Sequence, residues 1–101
     1  MRLIVKFSGN AYNLMRQLGY HPHETGEAGE PSFARRLGSS DYPRFHIYIK
    51  TDNVKRETLE INLHLDQKKP IYKGVSAHSG EYDGELVERE AERIKQIVGV
   101  L

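Results

Sequence analysis

The stretch from Arg44 to Asp66 constrains the fold most, because apolar and polar residues alternate on both sides of a polar turn. Every second position in its two arms is apolar: Phe45, Ile47, Ile49, Ile61, Leu63 and Leu65. A period of two is typical of a β-strand with one buried face and one wet face. The stretch therefore predicts an antiparallel hairpin with one face in the core and one in solvent.

Complementary side chains across this hairpin predict its register. With Ile49 opposite Ile61, the wet face forms these cross-strand pairs: Lys50 with Glu60, Tyr48 with Asn62, His46 with His64, and Arg44 with Asp66. A shift by two residues would lose both charge pairs, and directly opposed side chains contribute roughly 0.2 to 1 kcal/mol each. The predicted register places His46 and His64 side by side on an exposed sheet face.

Segments outside the hairpin predict further strands. Alternation over residues 2–7 predicts a first strand, and residues 32–37 (SFARRL) predict a short edge strand with Arg35 and Arg36 on opposite faces. Residues 71–73 form an edge strand at best, because Pro70 has no N–H to donate. Residues 20–31 contain Pro, Gly and Glu without periodicity, which predicts a loop.

Two amphipathic patterns predict helices. Asn10 or Ser8 caps the first helix and Gly19 ends it; its apolar stripe is Ala11, Leu14, Met15 and Leu18. Asp83 caps the second, whose apolar stripe is Leu86, Val87, Ala91, Ile94, Ile97 and Val98. Its opposite face predicts a charged solvent surface of Glu88, Arg89, Glu92, Arg93, Lys95 and Gln96. We expect a two-layer α+β fold, with an antiparallel sheet of three to five strands and two helices packed on one face.

Length and composition limit the range of functions. The 101 residues suit one domain over 1–101, and the absence of cysteine excludes disulfides and thiolate zinc sites. The opening MRLIVKF is too short and too charged for a signal peptide, and no apolar run reaches membrane length, so we expect a soluble cytoplasmic protein without a membrane partner. Residues 1–80 carry 12 Lys or Arg and 8 Asp or Glu, whereas residues 81–101 carry 3 and 6. The basic body weakly favours a polyanionic partner.

The leading functional hypothesis is that the sheet face or a basic loop binds RNA or another phosphate-bearing partner. The binding residues would be Arg44, Lys50, Lys68, Lys69 and Lys73. Such binding would weaken steeply as salt rises. Because histidine titrates near neutrality, His46 and His64 are candidate catalytic groups that could exchange a proton with a ribose hydroxyl or a leaving oxygen. A purely structural cross-strand pair explains the same histidines.

Two further hypotheses use other properties of the chain. Two imidazoles and a carboxylate meet the ligand count of an open site for a divalent transition metal, with His46, His64, Asp66 and His78 as candidate ligands. His21 and His23 also form a His-x-His pair, although no partner at fixed spacing distinguishes it from ordinary loop polarity. The third hypothesis is a structural or protein-interaction module, dimeric or with another protein partner, that uses a sheet edge or the wet face.

Two resemblances accompany these patterns. The strings HLDQKKP (64–70) and HSGEYDGE (78–85) resemble those of a small bacterial protein family of unknown function, which implies no chemistry. The strings LMRQLGY (14–20), RRLGSS (35–40) and HIYIKTD (46–52) resemble HicA-type toxins, small ribonucleases with a double-stranded-RNA-binding-like fold of helix, three strands and helix. That family carries its catalytic histidine directly after a Gly-Ser pair. Here Ser40 follows Gly38-Ser39, and the nearest histidine is His46.

Overall fold

The described part of the chain forms a five-stranded antiparallel sheet with two helices. The computed structural model describes residues 1–24, 29–67 and 84–101. In chain order the elements are β1 (Arg2–Lys6), α1 (Ala11–Gln17), β2 (His21–Pro22), β3 (Ser32–Arg36), β4 (Arg44–Asn53), β5 (Thr58–Asp66) and α2 (Gly84–Gly99). The strand order across the sheet is β1-β5-β4-β3-β2. The predicted α+β class is confirmed.

One face of the sheet, the inner face, packs against both helices. All six alternating apolar residues of the hairpin are buried on this side, together with Leu3, Val5 and Phe33 from the neighbouring strands. The helices complete the same core with Leu14, Met15, Leu18, Val87, Ala91 and Ile94. The opposite side of the sheet, the outer face, carries no helix among the described elements.

Helix α1 begins and ends as the sequence predicts. The Asn10 side chain accepts a hydrogen bond from the Asn13 N–H at 3.0 Å, which satisfies one donor of the first turn. Gly19 follows the helix with a φ of +91°, a conformation that glycine adopts without strain. The predicted cap at Asp83 and the predicted strand at 71–73 lie outside the described residues. No helix in the described ranges is both long enough and apolar enough to cross a bilayer.

The predicted hairpin register holds from its open end as far as Ile49 and then changes. Arg44 lies opposite Asp66 and His46 opposite His64, as expected, but Thr51 rather than Lys50 faces Glu60. A β-bulge places an extra residue in β4 at this point. The predicted pairing of Lys50 with Glu60 is therefore wrong.

Each of the two separated charges has another partner. Lys50 Nζ lies 2.5 Å from Glu30 Oε2, and Arg2 Nε donates to Glu60 Oε2 at 2.7 Å. Both partners belong to chain segments outside the hairpin, so the bulge leaves neither charge unpaired.

The short strand β2 extends the sheet beyond β3. His21 lies opposite Ala34, and the His23 N–H donates to the Ser32 carbonyl at 2.8 Å. The prediction of 32–37 as an edge strand is therefore wrong, because two residues of the predicted 20–31 loop pair with it. Arg35 and Arg36 do point to opposite faces, as the period of two requires.

A buried carboxylate connects α2 to the rest of the core. The side chain of Glu90 is only 3% exposed, and it accepts hydrogen bonds from the Tyr20 hydroxyl at 2.6 Å and from Arg93 Nε at 2.8 Å. Arg93 also donates to the Leu18 carbonyl at 2.6 Å, and Arg35 Nη1 lies 3.4 Å from Glu90. Arg93 was predicted to lie on the solvent face. That prediction is wrong because Arg93 donates hydrogen bonds to Glu90 and to the Leu18 carbonyl just after α1.

The position of Glu90 could have been read from the sequence. It lies three residues after Val87, next to Ala91 and four before Ile94, which places it inside the apolar stripe of the helix. A carboxylate in such a stripe indicates a buried polar network.

We expect Glu90→Gln to lower the free energy of unfolding by about 2 kcal/mol or more, because it leaves Arg93 and Arg35 without a counter-charge near the core. Urea denaturation measures the loss. Glu92→Gln, which removes an exposed carboxylate two residues along the same helix, serves as the control and should change the free energy by less than about 0.5 kcal/mol. Equal stability of the two variants would contradict the network's role.

Candidate functional site

Four aromatic rings lie in a connected row on the outer face. The ring centroids of His23 and His46 are 5.0 Å apart in an edge-to-face arrangement. His46 stacks on Tyr48 at 4.5 Å with the planes 25° apart, and Tyr48 meets His64 edge to face at 5.7 Å. We call His23, His46, Tyr48 and His64 the ring row. Such contacts are attractive and fix ring orientation.

The sheet pairing explains how the ring row forms. His46 and Tyr48 are two residues apart on β4 and so share a face. His64 joins them from β5 through the predicted register, and His23 joins from the chain just after β2. The sequence predicted the neighbouring positions of His46 and His64, and this is confirmed. The contribution of His23 was not predicted, because the segment around it has no periodicity.

His46 lies at the centre of the row and is buried, with 6% of its surface exposed. The prediction that it lies on an exposed face is therefore wrong. The rings of His23 and Tyr48 contact it, and Ala34 lies opposite on β3. His64, by contrast, is exposed as predicted.

Asp66 holds the His46 imidazole in place. His46 Nδ1 lies 3.1 Å from Asp66 Oδ2, and the same oxygen accepts a hydrogen bond from Arg44 Nε at 3.2 Å. The other ring nitrogen, Nε2, is buried and has no hydrogen-bond partner in the described parts of the chain. Because a ring nitrogen bonded to a carboxylate carries the proton, neutral His46 would present an acceptor at Nε2.

The environment shifts the pKa of several groups in this cluster. Burial alone would raise the pKa of Asp66, but the hydrogen bonds from His46 and Arg44 outweigh it and hold the pKa below its usual value. Partial loss of solvation lowers the pKa of His64, and so does the positive charge of the chain's amino terminus. Partial loss of solvation and then the Arg44 charge lower the pKa of His23. Both shifts favour the neutral form of the imidazole.

Among the described residues, the outer face has a cavity toward each end of the ring row. The first, of about 280 Å³, is lined by Glu30, Tyr48, Lys50, Asn62 and His64. The second, of about 340 Å³, is lined by His21, Pro22, His23, Ala34, Arg36, Asp41 and Arg44. Each cavity thus combines ring-row residues with at least one cation.

The structure brings together some of the predicted binding residues. Arg44 and Lys50 lie on the outer face beside different cavities, and each has a carboxylate partner, Asp66 and Glu30 respectively. Lys68, Lys69 and Lys73 lie outside the described residues, so their part in the hypothesis stays a prediction.

The predicted metal site also stays a prediction. Within residues 1–24, 29–67 and 84–101, no group of three or more His, Asp or Glu side chains is placed to hold a metal ion. Asp66 instead pairs with His46 and Arg44, and the fourth candidate ligand, His78, lies outside the described residues.

No protein-family model, no curated protein and no solved structure matches this chain. The resemblance to HicA-type toxins therefore stays an expectation, and function is inferred from the side chains themselves.

The low pKa of Asp66 predicts a pH-dependent contribution to stability. Its folded-state pKa lies below the ordinary value of 3.8, so the stabilisation is present above that pH and is lost as the pH falls through the folded-state value. We expect Asp66→Asn to destabilise the protein at pH 7 and the difference from wild type to shrink below about pH 4. Denaturation at several pH values measures this. Asp52→Asn, at an exposed position of β4, is the control; a pH-independent difference for Asp66→Asn would contradict the prediction.

Proposed function

We propose that the outer face binds single-stranded RNA, with unpaired bases stacking on exposed rings of the ring row. The observation that carries the proposal is the row itself, in which rings from β4, β5 and the end of β2 are in mutual contact on a sheet face that no described helix covers. Base stacking on aromatic side chains is a common mode of single-strand recognition and tolerates many sequences.

The rings of the row differ in burial, and we assign them different roles on that basis. His23 and His64 are exposed and Tyr48 is half-buried, so these three rings present surface to a base. His46 is buried between them, and its contact with Asp66 fixes the orientation of its ring. A rigid platform costs less conformational entropy on binding than one that must be ordered.

A sheet face of this kind favours a single strand over a duplex. In a duplex the base faces are stacked on one another and unavailable, so only phosphates and groove edges reach the protein. The ring row would contribute little affinity for a duplex, because stacking on the rings requires exposed base faces. We therefore expect a preference for unpaired RNA over duplex RNA.

The charges of the outer face indicate that stacking contributes more to the affinity than electrostatic attraction to the phosphate backbone does. Four of its described cations each lie near a carboxylate: Arg2 with Glu60, Arg36 with Asp41, Arg44 with Asp66 and Lys50 with Glu30. Lys6, on the same face of β1, forms no ion pair within the described residues. Paired cations release fewer counterions when a phosphate binds, so these four residues produce a shallower salt dependence than unpaired cations would.

Catalysis by His46 and His64 stays a prediction. The Nε2 atom of His46, which would take a proton from a ribose hydroxyl, is shielded from solvent and from an incoming substrate. His64 is exposed, but no carboxylate in the described residues forms a hydrogen bond with it that would orient its ring. The geometry thus favours binding over cleavage.

The protein-interaction hypothesis also stays a prediction, and one form of it is disfavoured. β1 lies at one edge of the described sheet. If two copies of β1 paired antiparallel about Ile4, Arg2 of each would oppose Lys6 of the other. Like charges directly opposed across strands are destabilising.

Fluorescence anisotropy with a labelled single-stranded RNA oligomer tests the proposal. We expect binding, weaker binding of the same sequence as a duplex, and an affinity about tenfold lower for Tyr48→Leu, because one base loses its stacking partner. Tyr12→Leu is the matched control: Tyr12 is a half-exposed tyrosine on α1, away from the outer face.

Three results would overturn the proposal: no binding by the wild type, equal binding of single strand and duplex, or equal losses in the two tyrosine variants. Thermal melting of both variants shows whether a loss of affinity merely reports unfolding.

A further inference from the structure

Two arginines oppose one another on the outer face. Arg36, the last residue of β3, lies directly across from Arg44, the first residue of β4. Directly opposed like charges destabilise a sheet pair, and guanidinium groups remain charged at all physiological pH values. An anion bound between the two would offset this repulsion.

The neighbourhood of the pair is a cavity with an excess of hydrogen-bond donors. Its volume of about 340 Å³ is in the range of small-molecule sites. Besides the two guanidinium groups, the imidazoles of His21 and His23 line it, and even a neutral imidazole has one N–H to donate. Asp41 is the one carboxylate among the lining residues.

The carboxylates near the pair leave most of its donors available. Arg36 Nη1 lies 3.5 Å from Asp41 Oδ1, at the limit of a hydrogen bond, and both side chains are more than half exposed. Arg44 donates to Asp66 through Nε. Within the described residues, no other hydrogen bond of either guanidinium is present.

Packing fixes the guanidinium of Arg44 in advance of binding. Its central carbon lies 4.5 Å from the centroid of the Tyr42 ring, and its side chain is 16% exposed. A guanidinium held by a ring and by one carboxylate loses little freedom on binding a second anion. The side chain of Arg36, by contrast, is 57% exposed, which leaves it room to change rotamer around a ligand.

We propose that this cavity, which we call the arginine pocket, binds a phosphate group between Arg36 and Arg44. Guanidinium groups match phosphate oxygens in geometry as well as charge. His23 belongs both to the arginine pocket and to the ring row, so a strand stacked on the row passes its backbone next to the pocket. The identity of the phosphate as one from RNA rests on the proposed function; the binding of phosphate itself does not.

Titration of the isotope-labelled protein with inorganic phosphate, at constant ionic strength maintained with chloride, tests the pocket without RNA. We expect NMR shift changes concentrated at residues 21–23, 36 and 44. In Arg36→Gln the affinity should fall about tenfold, because one charge-assisted hydrogen-bond donor is lost. Arg16→Gln is the control: it removes the same charge from an exposed position on α1, and phosphate affinity should not change. Equal affinities in the two variants, or shift changes spread evenly over the surface, would overturn the arginine pocket.

Two RNA oligomers distinguish the sources of the phosphate. A strand with a 5′-phosphate and the same strand with a 5′-hydroxyl are compared by anisotropy with wild type and Arg36→Gln. If Arg36→Gln weakens binding of the 5′-phosphate strand only, the pocket binds the phosphate at the strand end. If the mutation weakens binding of both strands equally, the pocket binds an internal phosphodiester. If the wild type binds RNA and the mutation changes neither strand, the assignment to RNA is wrong while the proposed function stands. If phosphate binds but RNA does not, the proposed function is wrong while the pocket stands.

Discussion

The pairing of β4 with β5 determines both surfaces of the sheet. Because side chains alternate with a period of two, a single register decides which residues meet the helices and which form the outer face. The opposition of Ile47 to Leu63 fills the core, and the adjacent opposition of His46 to His64 supplies half of the ring row. Core and ring row are therefore linked. A slip of one residue would turn the isoleucines to solvent and bring the imidazoles under the helices.

The open end of the same hairpin supplies the polar support that the outer face needs. A buried imidazole without a partner costs about 1–3 kcal/mol, so His46 depends on Asp66. Asp66, the last residue of β5, is in turn held by Arg44, the first residue of β4. One ion pair thus closes the hairpin end, orients the central ring of the row and positions a guanidinium beside Tyr42. Structural stability and the proposed binding surface share these side chains.

The sequence predicts the contacts that form within the hairpin. It does not predict the contacts that distant chain segments make with the hairpin. The opposition of His46 to His64 follows from alternation and charge complementarity along two adjacent strands. The bulge at Lys50 does not follow from this pattern. Lys50 pairs with Glu30, a residue before β3, and no local sequence pattern connects the two residues. The burial of His46 was missed for the same reason: its cover includes His23, from a segment that reads as an irregular loop. Periodicity specifies faces, whereas burial on a face depends on which non-periodic segment reaches it.

Balanced charge on the outer face changes what the surface can discriminate. A strongly basic face attracts any polyanion and leaves little basis for choice, since phosphates are common to all nucleic acids. Here four of the described cations of the face lie near carboxylates, so we expect specific contacts to contribute more to binding than general attraction. In the proposed binding mode, the rings stack on exposed base faces and the opposed arginines bind a phosphate at one position. A single strand provides both features, whereas inorganic phosphate and a closed duplex each provide only one. We therefore expect the proposed selectivity for unpaired strands to depend on the low net charge of the face.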